Sequence, residues 1–143
     1  MQAMIGLPSG DDRVRWKPSA ISPQLRAFIY SCFDAVEQVE LLVQLQRGGQ
    51  SVMARAAAQA CGISDAAARH HLETLAARGL LQIAVGEETT YRFAPKTAQL
   101  TAYAQALVLE YTRSRTAIIR LVVNNPLRSA RRIADAFTFR EPR

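Results

Sequence analysis

The chain has 143 residues, 49% of them apolar and 21% charged, with a formal net charge of +6. That length suits one domain able to bury a sizeable core. No apolar run approaches the ~20 residues of a membrane span, and the first residues lack a basic-then-apolar signal pattern, so the expected compartment is the cytoplasm.

The charge is unevenly spread. Residues 51–95 carry Arg55, Arg69, Arg78 and Arg92 against Asp65, Glu73, Glu87 and Glu88, and are neutral. Residues 96–143 carry Lys96 and eight arginines against Glu110, Asp135 and Glu141, a net +6. Residues 1–33 add +2 and residues 34–50 subtract 2. The basic excess therefore sits at the two ends, where nucleic acid or an acidic protein would feel it. Cys32 and Cys61 form no CxxC pair and are expected as reduced, hydrophobe-like thiols.

Residues 1–20 hold scattered Gly and Pro and read as an arm, with Trp16 as its one docking residue. Ser22-Pro23 is a helix start, because Ser caps and Pro is tolerated at the first helical position. Asp34 and Glu37 have capping-box spacing and suggest a second start or a bend, in a helix that Gly48-Gly49 ends. Ser51 is placed to cap a helix over "VMARAAAQAC", which Gly62 breaks. Ile63 is expected in the core, and Ser64 to cap "DAAARHHLETLAAR", with Ala68, Leu72 and Leu75 as its buried face. Gly79 stops that helix in the left-handed conformation. "LLQIAV" and "TTYRFAP" read as two strands joined through Gly86-Glu87-Glu88. Thr97 caps a long helix that must end before Pro126, and a last short helix, "LRSARRIADAF", closes the chain.

Helix, helix, turn, helix, hairpin is the order of the winged helix-turn-helix. Residues 34–95 resemble that superfamily, and the MarR-like transcriptional regulators in particular. The resemblance is carried by Ala58, Gly62, Ile63, Ser64, Ala68, Leu72, Leu75, "RGLLQ" at 78–82 and the following "TYRFAP". It implies a mainly α fold with a small β-hairpin wing, flanked by an N-terminal helix and a long C-terminal dimerisation helix. The corresponding division is an arm at 1–20, the N-terminal helix plus winged unit at 21–95, and a helical dimerisation region with a basic tail at 96–143. It also implies a homodimer that binds double-stranded DNA.

In such proteins the exposed face of the second helix enters the major groove. Projected here, the candidate DNA-binding residues are Ser64, Ala66, Ala67, Arg69, His70 and Thr74, with Arg92 on the following strand. Arg69 has the fork that guanine accepts, and His70 can donate to a base or phosphate. The alanines can only touch thymine methyls. Glu87 and Glu88 at the wing tip would face phosphate oxygens, where DNA-gripping wings place Arg or Lys. His71 falls where related helices place an apolar residue, and is expected to be half-buried beside Leu72. His70-His71 makes a poor metal pair, because adjacent helical residues point about 100° apart. No metal site, cofactor loop or catalytic constellation is expected.

The C-terminal helix carries an apolar stripe at Leu100, Ala104, Leu107, Tyr111, Ser114, Ile118 and Leu121, spaced alternately by four and three. A helix of roughly 27 residues would span ~40 Å. The expected dimerisation residues are Leu100, Leu107, Tyr111, Ile118 and Leu121; an intramolecular helical hairpin is the competing reading of the stripe. Arg113, Arg115, Arg120, Arg128, Arg131 and Arg132 lie off it, where they can grip phosphates, bind an acidic protein or simply be solvated. Two functions follow: a dimeric DNA-binding regulator, or a winged-helix adaptor for a protein partner.

Overall fold

The computed structural model describes residues 21–127. The arm at 1–20 with Trp16, and the last expected helix with Arg128, Arg131 and Arg132, lie outside the described residues. In chain order the elements are α1 (Pro23–Cys32), α2 (Val36–Gly48), β1 (Val52–Met53), α3 (Ala54–Cys61), α4 (Asp65–Ala77), β2 (Leu81–Ala84), β3 (Thr90–Phe93), α5 (Ala98–Arg113) and α6 (Arg115–Val123). The architecture is mainly α with a small antiparallel sheet, as the sequence leads one to expect. No helix among the described residues is long and apolar enough to cross a membrane.

The caps explain several boundaries. The hydroxyls of Ser22, Ser64 and Thr97 accept from the backbone N–H groups of Leu25, Ala67 and Leu100, each at 3.0 Å. Each satisfies a donor that the first helical turn leaves without an internal partner. Gly79 follows α4 at φ +86°, a conformation an L side chain resists. It turns the chain directly into β2.

Three expectations need correction. Ser51 does not cap a helix: Val52–Met53 form β1, and α3 starts at Ala54 without a side-chain cap. β1 pairs with β3 through Val52↔Tyr91, giving the order β1-β3-β2. Pairing satisfies backbone groups along one edge of β3 that a bare hairpin would leave open. At the head of α2, it is Gln38 rather than Glu37 that reaches back to Asp34: Asp34 N–H donates to its amide oxygen at 3.0 Å.

The third correction concerns the long C-terminal helix, which is two helices. Ser114, at φ −139° and ψ 56°, separates α5 from α6. The break falls in "YTRSRT", where Thr and Ser compete for backbone bonds; the Thr112 hydroxyl already donates to the Val108 carbonyl. A straight 40 Å rod could not keep both halves of its apolar stripe on one small core. Broken, α5 and α6 both lie against α1 and α2. Asn125 then closes the bundle, donating to the carbonyls of Tyr30 and Phe33 at 2.9 Å each and so satisfying the end of α1.

One core joins these layers. Ile29, Phe33, Leu41, Leu42, Leu107 and Ile118 fill the bundle, while Leu72, Leu75, Leu80 and Tyr91 bring α4 and the sheet onto the same cluster. Phe28 stacks on Tyr103 with ring centroids 5.4 Å apart, fastening α1 to α5.

Candidate nucleic-acid interface

Helix α4 has two chemically distinct faces. Ala68, Leu72 and Leu75 are fully buried and set the helix on α2 and α3. Asp65, Ala66, Arg69, His70 and Glu73 are exposed on the other side. Burying three apolar side chains of this kind is worth several kcal/mol, at roughly 25 cal/mol per Å² removed from water. The exposed face is thus held in place by the buried one.

The candidate residues are not equivalent on this surface. Arg69 and His70 are exposed, and Arg69 makes no ion pair among the described residues. Ser64 is spent on its cap, and Ala67, half-buried, supplies the N–H it accepts. The Thr74 hydroxyl donates back to the His70 carbonyl at 3.0 Å. Arg92, exposed on β3, lies opposite Gln82 and donates to its side-chain oxygen. At the hairpin tip, residues 85–89 are all exposed, Glu87 and Glu88 among them. A cavity of about 610 Å³ lies between the C-terminal half of α4 and the hairpin, walled by Ala76, Ala77, Ile83 and Ala94 with Glu73 and Lys96.

His71 is half-buried beside Leu72, as its position suggests. The structure adds its partner. Gln38, only 2% exposed, brings its amide nitrogen 3.3 Å from His71 Nδ1. The same nitrogen donates to Asp34 Oδ1 at 2.8 Å. Asp34 in turn pairs with Arg78, whose guanidinium lies 3.3 Å from Oδ2 and also donates to the Cys32 carbonyl. Burial lowers the His71 pKa below its ordinary value; His70 adds to this, while Glu37 and Asp34 oppose it. Sequence reasoning missed this chain of contacts. Its signal was Gln38 itself, a polar residue in step with Leu41, Leu42 and Leu45 on an apolar stripe.

The residues expected at a dimer seam are divided. Leu107, Tyr111 and Ile118 are buried within the single chain, and Leu100 and Leu121 are half-buried against the same core. The Tyr111 hydroxyl donates to Glu40 at 3.2 Å and accepts from Arg115 at 2.9 Å. Burial pushes the phenol pKa up. Arg115 also bonds Glu40 at 3.0 Å and lies 5.5 Å from the Tyr111 ring centroid; Arg113 pairs with Glu110 at 3.6 Å. Large apolar side chains left exposed nearby are Leu109, Val123 and Leu127. Among the described residues no cluster of three or more His, Cys, Asp or Glu could hold a metal ion.

No protein-family model matches the chain, and no curated protein does. A crystal structure of RV1404 from Mycobacterium tuberculosis is similar at 16% identity, over 87% of this chain and 86% of that one, with a TM-score of 0.48.

Proposed function

We propose that this chain is a cytoplasmic DNA-binding transcriptional regulator that acts as a homodimer through a winged helix-turn-helix. In this reading α3 and α4 are the helix-turn-helix, α4 is the recognition helix, and β2 and β3 with their tip are the wing. The observation that carries it is the two-faced α4: capped by Ser64, anchored by Ala68, Leu72 and Leu75, and presenting Arg69 and His70 outward. Arg69 makes the bidentate base contact and His70 a second donor contact. Ser64, Ala66, Ala67 and Thr74 lie along the same helix as shape and methyl contacts. Arg92 approaches the backbone from the wing. The second copy is held by the helical end of the chain, where Leu109, Val123 and Leu127 remain exposed.

Site selection from random duplexes, followed by titration across a salt series, tests this reading. Arg69→Ala should cost about 1–3 kcal/mol on the selected site and little on random DNA.

One feature favours a second reading, an adaptor that binds a protein. The 51–95 unit is neutral and its exposed tip is acidic, so phosphate repels the part of the wing that would approach it. Non-specific attraction should appear at low salt for any true DNA binder. Failure to bind any duplex below ~10 micromolar at low salt would transfer the assignment to the adaptor.

A further inference from the structure

Asp34, Gln38 and His71 are joined in a hydrogen-bonded chain in which both amide N–H groups of Gln38 are engaged. Gln38 is the only bridge in it between α2 and α4. Its oxygen accepts from the Asp34 N–H, and its nitrogen donates both to Asp34 Oδ1 and to His71 Nδ1. This orientation of the amide is fixed by Asp34, which offers one donor and one acceptor in matching places. His71 Nδ1 must then be an acceptor, so the neutral ring carries its proton on Nε2. Protonating Nδ1 sets donor against donor. Rotating the Gln38 amide by 180° gives the ring an acceptor, but it opposes two donors at the Asp34 N–H and two acceptors at Oδ1. Either way the buried amide loses a bond it cannot replace from solvent.

We propose that His71 is a proton-operated latch on α4, holding the helix to α2 through Gln38 when neutral and releasing it when charged. The regulation rests on the reading of α4 as the recognition helix, since that makes the latched element the one that reads DNA. The charges facing the ring are Glu37 on α2, Asp34 before it and His70 on α4 itself. Arg78 reaches the cluster by pairing with Asp34. Of the other elements against α4, α3 carries only the exposed Arg55 and the half-buried Cys61 as titratable groups, and β2 carries none.

The direction of the effect is fixed. A histidine whose pKa is lowered on folding contributes stability that is full above its ordinary value of about 6.5 and is lost as pH falls from there to the lowered value. Simple electrostatics predicts the reverse for DNA, because the positive charge that acid adds at His71 should tighten non-specific binding. The latch therefore predicts that acid weakens the specific complex while general attraction to phosphate rises. No salt or charge effect alone produces that split.

The experiment is backbone amide hydrogen exchange of the full chain between pH 7.5 and 5.5, corrected for intrinsic rates, together with ring ¹⁵N shifts of His71. Opening of α4 should rise roughly two- to tenfold on acidification, the worth of one net hydrogen bond. His71→Gln, which cannot charge, should abolish the pH dependence, and His70→Gln should preserve it. A ring proton on Nδ1 at neutral pH, or pH-independent opening of α4 while His71 titrates, would overturn the proposal. If His71→Gln does not fold, the ring shifts and exchange of the native chain still decide the question. Exchange needs no DNA. Switching without any duplex binding would remove the regulator and keep the latch; duplex binding with unswitched α4 would do the opposite.

Discussion

Ile118→Ala separates packing inside one chain from packing between two. Ile118 was expected at a dimer seam, yet it is fully buried within the single chain. Truncation removes three carbon atoms, about 2.4 kcal/mol of transfer free energy at ~0.8 kcal/mol each. The cavity left in a core shared by four helices adds to this, giving an expected loss of about 3–4 kcal/mol, within the usual range for such truncations. Against a total stability of ~5–15 kcal/mol that is a large fraction. Urea unfolding of native and variant chains at two concentrations a hundredfold apart is the assay. If the chain dimerises, both midpoints move with concentration, but the native-to-variant difference should be the same at each. A loss below ~1 kcal/mol in a chain that remains folded, with only weakened self-association, would refute the intrachain packing of α6.

Other outcomes follow from the same contacts. Ser64→Ala should cost about 1 kcal/mol and raise amide exchange first at Ala67, whose N–H loses its acceptor. Gly79→Ala should cost about 1–2 kcal/mol by urea unfolding, because of its φ of +86°; the added methyl meets Leu100 only at ordinary contact distance. Glu87→Lys with Glu88→Lys should tighten binding to random and selected duplexes alike in fluorescence anisotropy, if the hairpin tip lies near phosphates. Equal affinity before and after would put the tip away from the DNA.

The periodic parts of the chain were legible and the exceptions were not. The caps at Ser64 and Thr97, the turn at Gly79 and the buried trio on α4 all follow from local chemistry, because each acts within one helical turn. β1 was not legible. Two residues carry no period, and only the neighbouring β3 gives Val52 and Met53 a reason to be extended. The break at Ser114 was hidden by an apolar stripe that continues through it; the stripe records burial, and burial is preserved when the helix bends. On α4, spacing puts Ala66, Arg69 and His70 on the exposed side, where they lie, but Ala67 and Thr74 are half-buried, and spacing is silent about which donors are already engaged. Thr74 and Arg92 each turn to a neighbour in the same chain, and neither engagement leaves a mark in the sequence.

Those engagements change how the net charge should be understood. Of the arginines in the described residues, Arg78, Arg113 and Arg115 are in ion pairs, and Arg47 and Arg92 donate to neutral side chains. Within α4 itself Arg69 is the one arginine, and its exposed acidic companions Asp65 and Glu73 offset part of the charge it offers. If this unit binds DNA, it would gain little from counterion release, whose contribution grows with each phosphate neutralised. Any discrimination it achieves must come instead from the fit of one helix face to base edges. Such fit depends on the pose of α4 to within fractions of an ångström, and that pose is set from below by Leu72 and Leu75 and from the side by Gln38 and Arg78. If α4 reads DNA, a surface so poor in charge would make the buried anchors of the helix the determinants of its specificity.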